Sequence, residues 1–346
     1  MITEVPNDQD GVASPFIQGI MSSLRRLADR LAEPTVILSY TAVGYGLRKP
    51  LWDDRALDKD LTGKVMVVTG ANAGLGFATA RALAERHATV IMACRNVERG
   101  ERARETIVRE TGNAAVELAL LDVADLSSVR AFVRQFEQEH DHLDVLLHNA
   151  GVLVHERSQT ADGVETTFAT HVLGPFVLTH LLRARLGRGD SPRVIWVTSG
   201  GMYTTSLNVD DLQSERGSFD GVKAYAHCKR AQMMLTEAWA QELRGDGIAV
   251  HATHPGWADT PGVETALPRF HRILGPILRD AEQGADTAVW LAVSEDAARV
   301  TGKLWFDRAQ RRTHVLPWTK SKTSDVRVLW DTCCRLGEIG TGSESS

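Results

Sequence analysis

From Lys64 onward, short runs of β-branched and apolar residues alternate with longer, more polar segments of helical spacing. This alternation is typical of βαβ units, in which helices bury both faces of a parallel sheet. The predicted strands lie at residues 65–69, 89–93, 116–120, 145–147, 194–198, 248–253 and 304–306. Helices are predicted at 75–86, 97–110, 126–139, 164–185 and 224–243. We therefore predict an α/β fold with a doubly wound parallel sheet, whose ligand site lies at the carboxyl ends of the strands.

The length of 346 residues exceeds one average domain, but α/β folds often reach about 250 residues around one core. We expect a single domain at residues 61–310, a helical arm at 1–60, and an extension at 311–346 that ends in a disordered tail. The hydrophobic fraction of 43% and the charged fraction of 24% match a soluble globular protein. Because the net charge is −5 and the isoelectric point is near 6.2, nucleic-acid binding is not expected.

The arm contains a pattern typical of an amphipathic helix, since apolar residues recur at helical spacing beside arginines. The apolar residues are Phe16, Ile20, Leu24, Leu27 and Leu31, and the arginines are Arg25, Arg26 and Arg30. Two interpretations stay open: the helix packs on the domain or a second subunit, or it contacts a membrane surface peripherally. The apolar stretch at residues 36–47 is too short for the roughly 20 residues of a transmembrane helix, so no membrane span is expected.

The four cysteines, Cys94, Cys228, Cys333 and Cys334, form no C-x-x-C pair and have no histidine at zinc-ligand spacing. We therefore expect reduced thiols and no metal. The N-terminal residues are acidic and lack the charged-then-apolar pattern of a secretory signal. The predicted location is the cytoplasm, with membrane association as the alternative.

The first predicted strand leads through a glycine-rich segment directly into a helix. The segment reads Thr69-Gly70-Ala71-Asn72-Ala73-Gly74-Leu75-Gly76. Glycine lets the backbone approach a ligand closely, and the free amides and dipole at a helix start favour negative charge. A tight turn without a ligand is the alternative, but the strand and helix on either side favour a cradle for the pyrophosphate of a dinucleotide.

The end of the second strand is where dinucleotide-binding folds place an acidic residue against the adenosine ribose. Cys94 and Arg95 stand at this point, and no carboxylate accompanies them. An arginine can bind the 2′-phosphate of NADP through two hydrogen bonds, so we predict a preference for NADP, with NAD as the second choice. The alternative is that Arg95 pairs with a surface acid.

Five motifs, taken in order, resemble those of the short-chain dehydrogenase/reductase family over about residues 60–310. They are the T-G-x-x-x-G-x-G segment at 69–76, Asn149-Ala150-Gly151, Ser199, Tyr225-Ala226-His227-Cys228-Lys229, and Pro255-Gly256. Ala93-Cys94-Arg95 and the long gap between Ser199 and Tyr225 are similar to the retinol-dehydrogenase-like branch. The resemblance implies a Rossmann fold and an NAD(P)-dependent oxidoreductase.

The resemblance also implies roles for single residues. Asp122 would accept a hydrogen bond from the adenine amino group, and Asn149 would support the loop beneath the adenosine. For Asp122 the alternative is a cap on the helix that begins near Leu126. The implied cofactor contacts are Gly70, Asn72, Gly74, Leu75, Gly76, Arg95, Asp122, Val123, Asn149, Ala150, Gly151, Tyr225, Lys229, Pro255, Gly256 and Thr260, the last three beside the nicotinamide.

The expected chemistry centres on Tyr225 and Lys229, which are four residues apart and so share one face of a helix. A free tyrosine has a pKa of about 10, and a nearby ammonium together with oxidised nicotinamide would lower it. In reduction the phenol would donate its proton to the developing alkoxide while hydride arrives from the cofactor. Ser199 would hydrogen-bond the substrate oxygen.

His171 departs from the family pattern, because asparagine is usual at this position and helps hold a water that joins the lysine to solvent. A neutral imidazole has one donor and one acceptor, so it could replace the amide or perturb the relay. We include His171 among the catalytic candidates and expect a pH dependence near its own titration. A weak enzyme and a non-catalytic protein stay open as alternatives.

The segment after Pro255 is rich in apolar residues and lies where this family forms a substrate lid. Its apolar residues are Trp257, Ala266, Leu267, Phe270, Ile273, Leu274, Ile277 and Leu278. They favour a lipophilic aldehyde, ketone, retinoid or steroid as substrate, although packing of the lid on the core is an equal alternative.

The same motifs bear on two alternative functions. An extended-branch epimerase would need glycine at Ala73, which disfavours it. An NAD(P)-sensing binding protein could dispense with Ser199, Tyr225 and Lys229, so their presence disfavours it.

Homo-oligomers are usual in this family, in which the helices near 126–139 and 164–185 pack against those of a second subunit, and we expect a homo-oligomer here. A short helix is expected after Asp307.

Overall fold

The computed structural model describes residues 39–260, 264 and 268–340, in which eight strands form one sheet. The strands are β1 (Val65–Thr69), β2 (Thr89–Cys94), β3 (Val116–Leu120), β4 (Val145–His148), β5 (Arg193–Val197), β6 (Ala249–Thr253), β7 (Lys303–Phe306) and β8 (Ala309–Arg311). The helices are α1 (Ala42–Arg48), α2 (Gly74–Ala84), α3 (Val97–Thr111), α4 (Leu126–Glu139), α5 (Gly174–Leu186), α6 (Gly221–Glu242), α7 (Pro268–Leu274), α8 (Ala281–Val293), α9 (Glu295–Ala298) and α10 (Thr323–Leu336). Short helical turns complete the described segments.

The strand order is β3-β2-β1-β4-β5-β6-β7-β8, with β1 to β7 parallel and β8 antiparallel to β7. The order reverses between β1 and β4, and ligands bind at the carboxyl ends of the strands beside such a switch point. This arrangement confirms the predicted single-domain, doubly wound Rossmann fold.

Two apolar clusters cover the two faces of the sheet. One includes residues of α4, α5 and α6, and the other includes residues of α2, α3 and α8. Every residue of β1, β5 and β6 is buried, because helices lie on both faces, which is why these strands are mostly apolar. Side chains at Asn96, Asp125 and Asp220 accept hydrogen bonds from first-turn amides, so α3, α4 and α6 begin where the sequence provides a cap.

Several elements differ from the prediction. The helix expected at 164–185 is interrupted by a π-helical turn at Ala169–Leu173, which precedes α5. The strand expected at 194–198 starts and ends one residue earlier, and β8 was not predicted because three residues carry too little pattern. The amphipathic pattern of the arm lies outside the described residues, whereas residues 39–60 pack on the domain.

The helix expected after Asp307 is longer than predicted and packs across α5 and α6. Its Trp330 ring lies 4.8 Å from Phe176 and 4.6 Å from Trp239, and Leu329 and Cys333 are fully buried. α10 therefore covers part of the α5 surface that a second subunit was expected to contact. The homo-oligomer stays a prediction.

The four cysteines have free, buried thiols, as expected. None of the described helices is both long and apolar enough to cross a bilayer.

A buried ion triad fastens the arm to the sheet. Asp307, just after β7, lies 2.8 Å from the guanidinium of Arg48 in α1 and 2.6 Å from that of Arg279, and all three side chains are 1% exposed. Arg48 also donates to the carbonyl of Ser39, and Arg279 donates to the carbonyls of Ser39 and Thr41. The triad thus joins the arm, the segment before α8 and the end of β7.

Replacing Asp307 with asparagine should lower the free energy of unfolding by about 3–5 kcal/mol, because two buried guanidiniums lose their counter-charge. Asparagine tolerates the positive φ of 52° at this position, so the backbone conformation is retained. Urea unfolding measures the change. The matched control, Asp53→Asn, removes a carboxylate from an exposed pair with Arg55 and should leave the unfolding midpoint near that of the wild type. Equal effects would contradict a structural role of the triad.

Four histidines are buried in the neutral form. Burial lowers the pKa of His148 to about 3, of His254 to about 3 and of His251 to about 4, and it holds the pKa of His171 well below its usual value. The unfolded chain therefore binds more protons than the folded chain below a pH of about 6.5. Stability is consequently lost as the pH falls.

Each such histidine should reduce the free energy of unfolding by about 1.4 kcal/mol per pH unit below about pH 6.5, until the pH reaches its folded pKa. Urea unfolding from pH 7.5 to 5.0 measures this slope. His148→Gln should reduce the slope by about one proton relative to the wild type. A slope that is unaffected by His148→Gln would contradict the neutral state of that residue.

Candidate active site

The glycine segment between β1 and α2 is packed tightly against the end of β4. A Cβ on Gly76 would lie 2.3 Å from the carbonyl oxygen of Gly70 and 2.5 Å from Nδ2 of Asn149, so a larger residue does not fit. The Asn149 amide donates to the carbonyl of Thr69 at 2.9 Å. Asn149 therefore holds the base of the loop through a direct contact.

The second strand also supports this loop. The Cys94 thiol accepts hydrogen bonds from the backbone amides of Ala71 and Asn72, and burial raises the pKa of this thiol to about 11. Gly74, with φ of 54°, begins α2. The glycine-rich loop leads directly into the N-terminus of α2. This arrangement fits a pyrophosphate group, which the loop residues would hold there.

The residues expected near the adenosine lie at neighbouring strand ends. Arg95 is exposed, and its guanidinium is 4.0 Å from Asp122, so their ion pair is loose. The alternative role of Asp122 as the helix cap is wrong, because Asp125 caps α4, whereas Asp122 accepts from the amide of Ala124. The guanidinium beside β2 is thus available to an anionic ligand, and no carboxylate occupies the position after β2.

Ser199, Tyr225 and Lys229 come together where β5 ends and the first turns of α6 begin. Ser199 lies beside the half-buried Tyr225. The buried ammonium of Lys229 lies 5.3 Å from the centroid of the Tyr225 ring and donates to the carbonyl of Val197 at 2.7 Å. The arrangement brings a hydroxyl, a phenol and an amine within reach of one small ligand.

Burial dominates the ionisation of this cluster when no cofactor is bound. Burial raises the pKa of Tyr225 above its ordinary value, and the hydrogen bond from Ser199 only partly opposes the rise. Burial also lowers the pKa of Lys229 to about 7, so near neutral pH the amine is only partly charged. Without the cofactor, desolvation outweighs the attraction between ammonium and phenolate, and the phenol stays protonated.

His171 lies in the π-helical turn, and its ring contacts both Tyr225 and the loop after β4. Its Nε2 lies 2.7 Å from the carbonyl oxygen of Val152 and 3.1 Å from the amide nitrogen of the same residue. The shorter contact favours the tautomer with the proton on Nε2, and the ring centroid is 5.2 Å from that of Tyr225. Burial and the Lys229 charge lower its pKa well below the usual value, so the imidazole is neutral at neutral pH. Nδ1 is buried without a partner. It is therefore an acceptor that a water could use.

The loop after β6 carries Pro255, Gly256 and Thr260. Gly256 has φ of 79°, and a Cβ there would lie 2.5 Å from Nε of Arg279, so glycine is required. The amide of Gly256 donates to Nδ1 of His254 at 3.0 Å. The bridge between Ala258 and Arg279 then fixes the start of the lid segment. Ala266, Leu267 and the Phe270 side chain lie outside the described residues.

Several contacts of the site were missed from the sequence. The Thr69 hydroxyl accepts hydrogen bonds from the backbone amides of Asn149 and Ala150. The side chain of Gln232 donates a hydrogen bond to the backbone carbonyl of His171 at 2.9 Å. Tyr40 of the arm packs against His254 with ring centroids 4.5 Å apart. Thr69 was within the glycine motif and could have been found, whereas no sequence pattern pairs Tyr40 or Gln232 with residues so distant in the chain.

The chain is similar to proteins of one family. The family profile described as short chain dehydrogenase matches residues 64–269. Human dehydrogenase/reductase SDR family member 12 is 44% identical over 82% of this chain and 89% of its own length. Human retinol dehydrogenase 12 is 38% identical over 80% of this chain and 87% of its own length.

A solved structure agrees with these similarities. An uncharacterized protein from Mycobacterium Paratuberculosis has a TM-score of 0.64 and 30% identity, and the alignment covers 82% of this chain and 97% of that one. Together with the glycine cradle and the Ser199, Tyr225 and Lys229 cluster, the similarities establish the family. The chain belongs to the short-chain dehydrogenase family, in its retinol-dehydrogenase-like branch, and is an NAD(P)-dependent oxidoreductase.

Proposed function

We propose that this protein interconverts a lipophilic carbonyl compound and its alcohol with NADP(H), using Ser199, Tyr225 and Lys229. The proximity of Ser199 to Tyr225, with Lys229 beside the phenol ring, is the observation that carries the proposal. It places two hydroxyl groups where one carbonyl oxygen can contact both.

The nicotinamide, when bound, supplies or accepts the hydride. In reduction Ser199 donates a hydrogen bond to the carbonyl oxygen and orients it, and Tyr225 delivers its phenolic proton to the same oxygen. Because burial keeps the phenol protonated, the structure is suited to this direction. In oxidation the phenolate takes the hydroxyl proton, and a charged Lys229 stabilises that phenolate.

Lys229 supplies a positive charge beside the phenol of Tyr225, and His171 contributes to the path by which protons reach solvent. The amine is close to its titration point at neutral pH, so it can gain or lose a proton without a large free-energy change. The unpartnered Nδ1 of His171 accepts a water in place of the usual asparagine amide. His171 thus replaces the amide function in this chain.

The preference for NADP rests on the end of β2. Arg95 follows the strand directly, its side chain is 71% exposed, and its link to Asp122 spans 4.0 Å. An arginine so loosely paired can turn toward a 2′-phosphate and bind it through two hydrogen bonds.

The lipophilic substrate class is supported by the lid and by the relatives. Ile273 is 76% exposed and Leu278 is buried, so the described part of the lid presents and packs apolar side chains. Several relatives carry the name retinol dehydrogenase. An apolar lid over a polar reaction centre suits a long apolar carbonyl compound.

Tyr225→Phe should reduce NADPH-dependent carbonyl reduction by about 10²- to 10⁴-fold, because the proton donor is removed. The affinity for NADPH, measured by cofactor fluorescence, should stay near that of the wild type. Tyr45→Phe is the matched control, since it removes a hydroxyl that faces Asp286 rather than Ser199.

Turnover by Tyr225→Phe at the wild-type rate would require another acid and would overturn the mechanism. Binding of NADPH by the wild type without turnover across a broad carbonyl panel would favour the sensing protein instead, and His171→Asn would then show whether the imidazole blocks the relay.

Arg95→Ala should weaken NADPH binding on the order of 10- to 100-fold, because hydrogen bonds to a charged group are lost. NADH binding should change little. Fluorescence titration of both cofactors measures the two affinities, and Arg109→Ala, at the far end of α3, is the matched control. Equal affinity of the wild type for NADPH and NADH would contradict the preference.

A further inference from the structure

The aromatic ring of Tyr40 lies against the backbone next to Ser199. A Cβ on Gly200 would be 3.1 Å from Cε2 of Tyr40 and 2.9 Å from Nε2 of His254. Gly200 follows Ser199 directly, so the arm reaches within one residue of the candidate catalytic hydroxyl. Tyr40, which belongs to none of the family motifs, therefore lies beside the candidate reaction centre.

Tyr40 also contacts the loop that follows Gly256. Its backbone carbonyl accepts a hydrogen bond from the backbone amide of Trp257 at 2.7 Å, and the ring centroids of Tyr40 and Trp257 are 5.9 Å apart. The ring packs edge-on against His254 at 4.5 Å and Phe306 at 5.3 Å. Tyr40 thus contacts residues at or just after the carboxyl ends of β5, β6 and β7.

The position of Tyr40 is fixed from both sides along the chain. The buried guanidinium of Arg279 donates hydrogen bonds to the carbonyls of Ser39 and Thr41, and Arg48 also donates to the carbonyl of Ser39. Arg279 and Arg48 share the carboxylate of Asp307. The ring is therefore held in place before any ligand arrives, and a preorganised wall loses little entropy on binding.

We propose that Tyr40 is a specificity-determining residue, forming an aromatic wall of the substrate pocket that selects extended apolar chains over small polar carbonyl compounds. The inference rests on the proposed function, since it assumes that the substrate oxygen lies at Ser199. Tyr40 is half-buried, and its ring borders both Gly200 and the ring of Trp257. A flat apolar ring at that place gains contact area with each added methylene of the ligand.

The test measures binding in a complex that cannot react. Full-length protein saturated with NADPH is titrated calorimetrically with butanol and decanol, which are already reduced. The wild type should bind decanol more tightly than butanol. Tyr40→Ala should reduce that preference about tenfold, since the apolar contact is lost, while Tyr40→Phe retains it.

Tyr45→Ala is the matched control, because it also deletes an arm aromatic ring but one that packs on Trp52 at 5.1 Å. It should lower the unfolding temperature as much as Tyr40→Ala does and leave the decanol preference unchanged. An unchanged preference in Tyr40→Ala, an equal loss in Tyr45→Ala, or no alcohol binding by the wild type would each overturn the inference. The proposed function fails separately, through undiminished turnover by Tyr225→Phe, which does not depend on alcohol affinities.

Discussion

The carboxylate of Asp307 binds Arg48 from the arm and Arg279 from the segment before α8, and the carboxyl-end side of the sheet is organised around it. A buried carboxylate is stable only when it is paired, and buried guanidiniums require the same. The arm, the segment before α8 and the end of β7 must therefore assemble together. Because Arg279 also fills the space beside Gly256, the same pairing limits how the nicotinamide loop can be shaped.

Much of the fold follows from local rules. Buried parallel strands are nearly continuous apolar runs, and Asn96, Asp125 and Asp220 cap helices at the points where the sequence supplies an acceptor. The glycine cradle and the Ser199, Tyr225 and Lys229 cluster could be located for the same reason, since each depends on a short motif in a predictable strand or helix context. The four-residue spacing of Tyr225 and Lys229 sufficed to place both on one face of α6.

What could not be predicted depends on tertiary environment. Burial raises the pKa of Tyr225 and lowers that of Lys229 when no cofactor is bound, and the spacing of the two residues does not reveal this burial. His171 was recognised from its position, yet its link to Val152 depends on the π-helical turn. Asp307 contacts Arg48 and Tyr40 contacts His254, two pairs that lie more than 200 positions apart, and no periodicity encodes such pairs.

The antiparallel β8 gives the sheet a particular boundary. Only three residues long and joined to β7 by two residues with positive φ, it turns the chain back and leaves a short outer edge. Long, flat, exposed edges offer a row of backbone donors and acceptors on which another chain can add a strand. With β8 in place, a foreign strand would find only a few backbone groups to pair with on this side, which reduces the risk that folded molecules aggregate through their sheets.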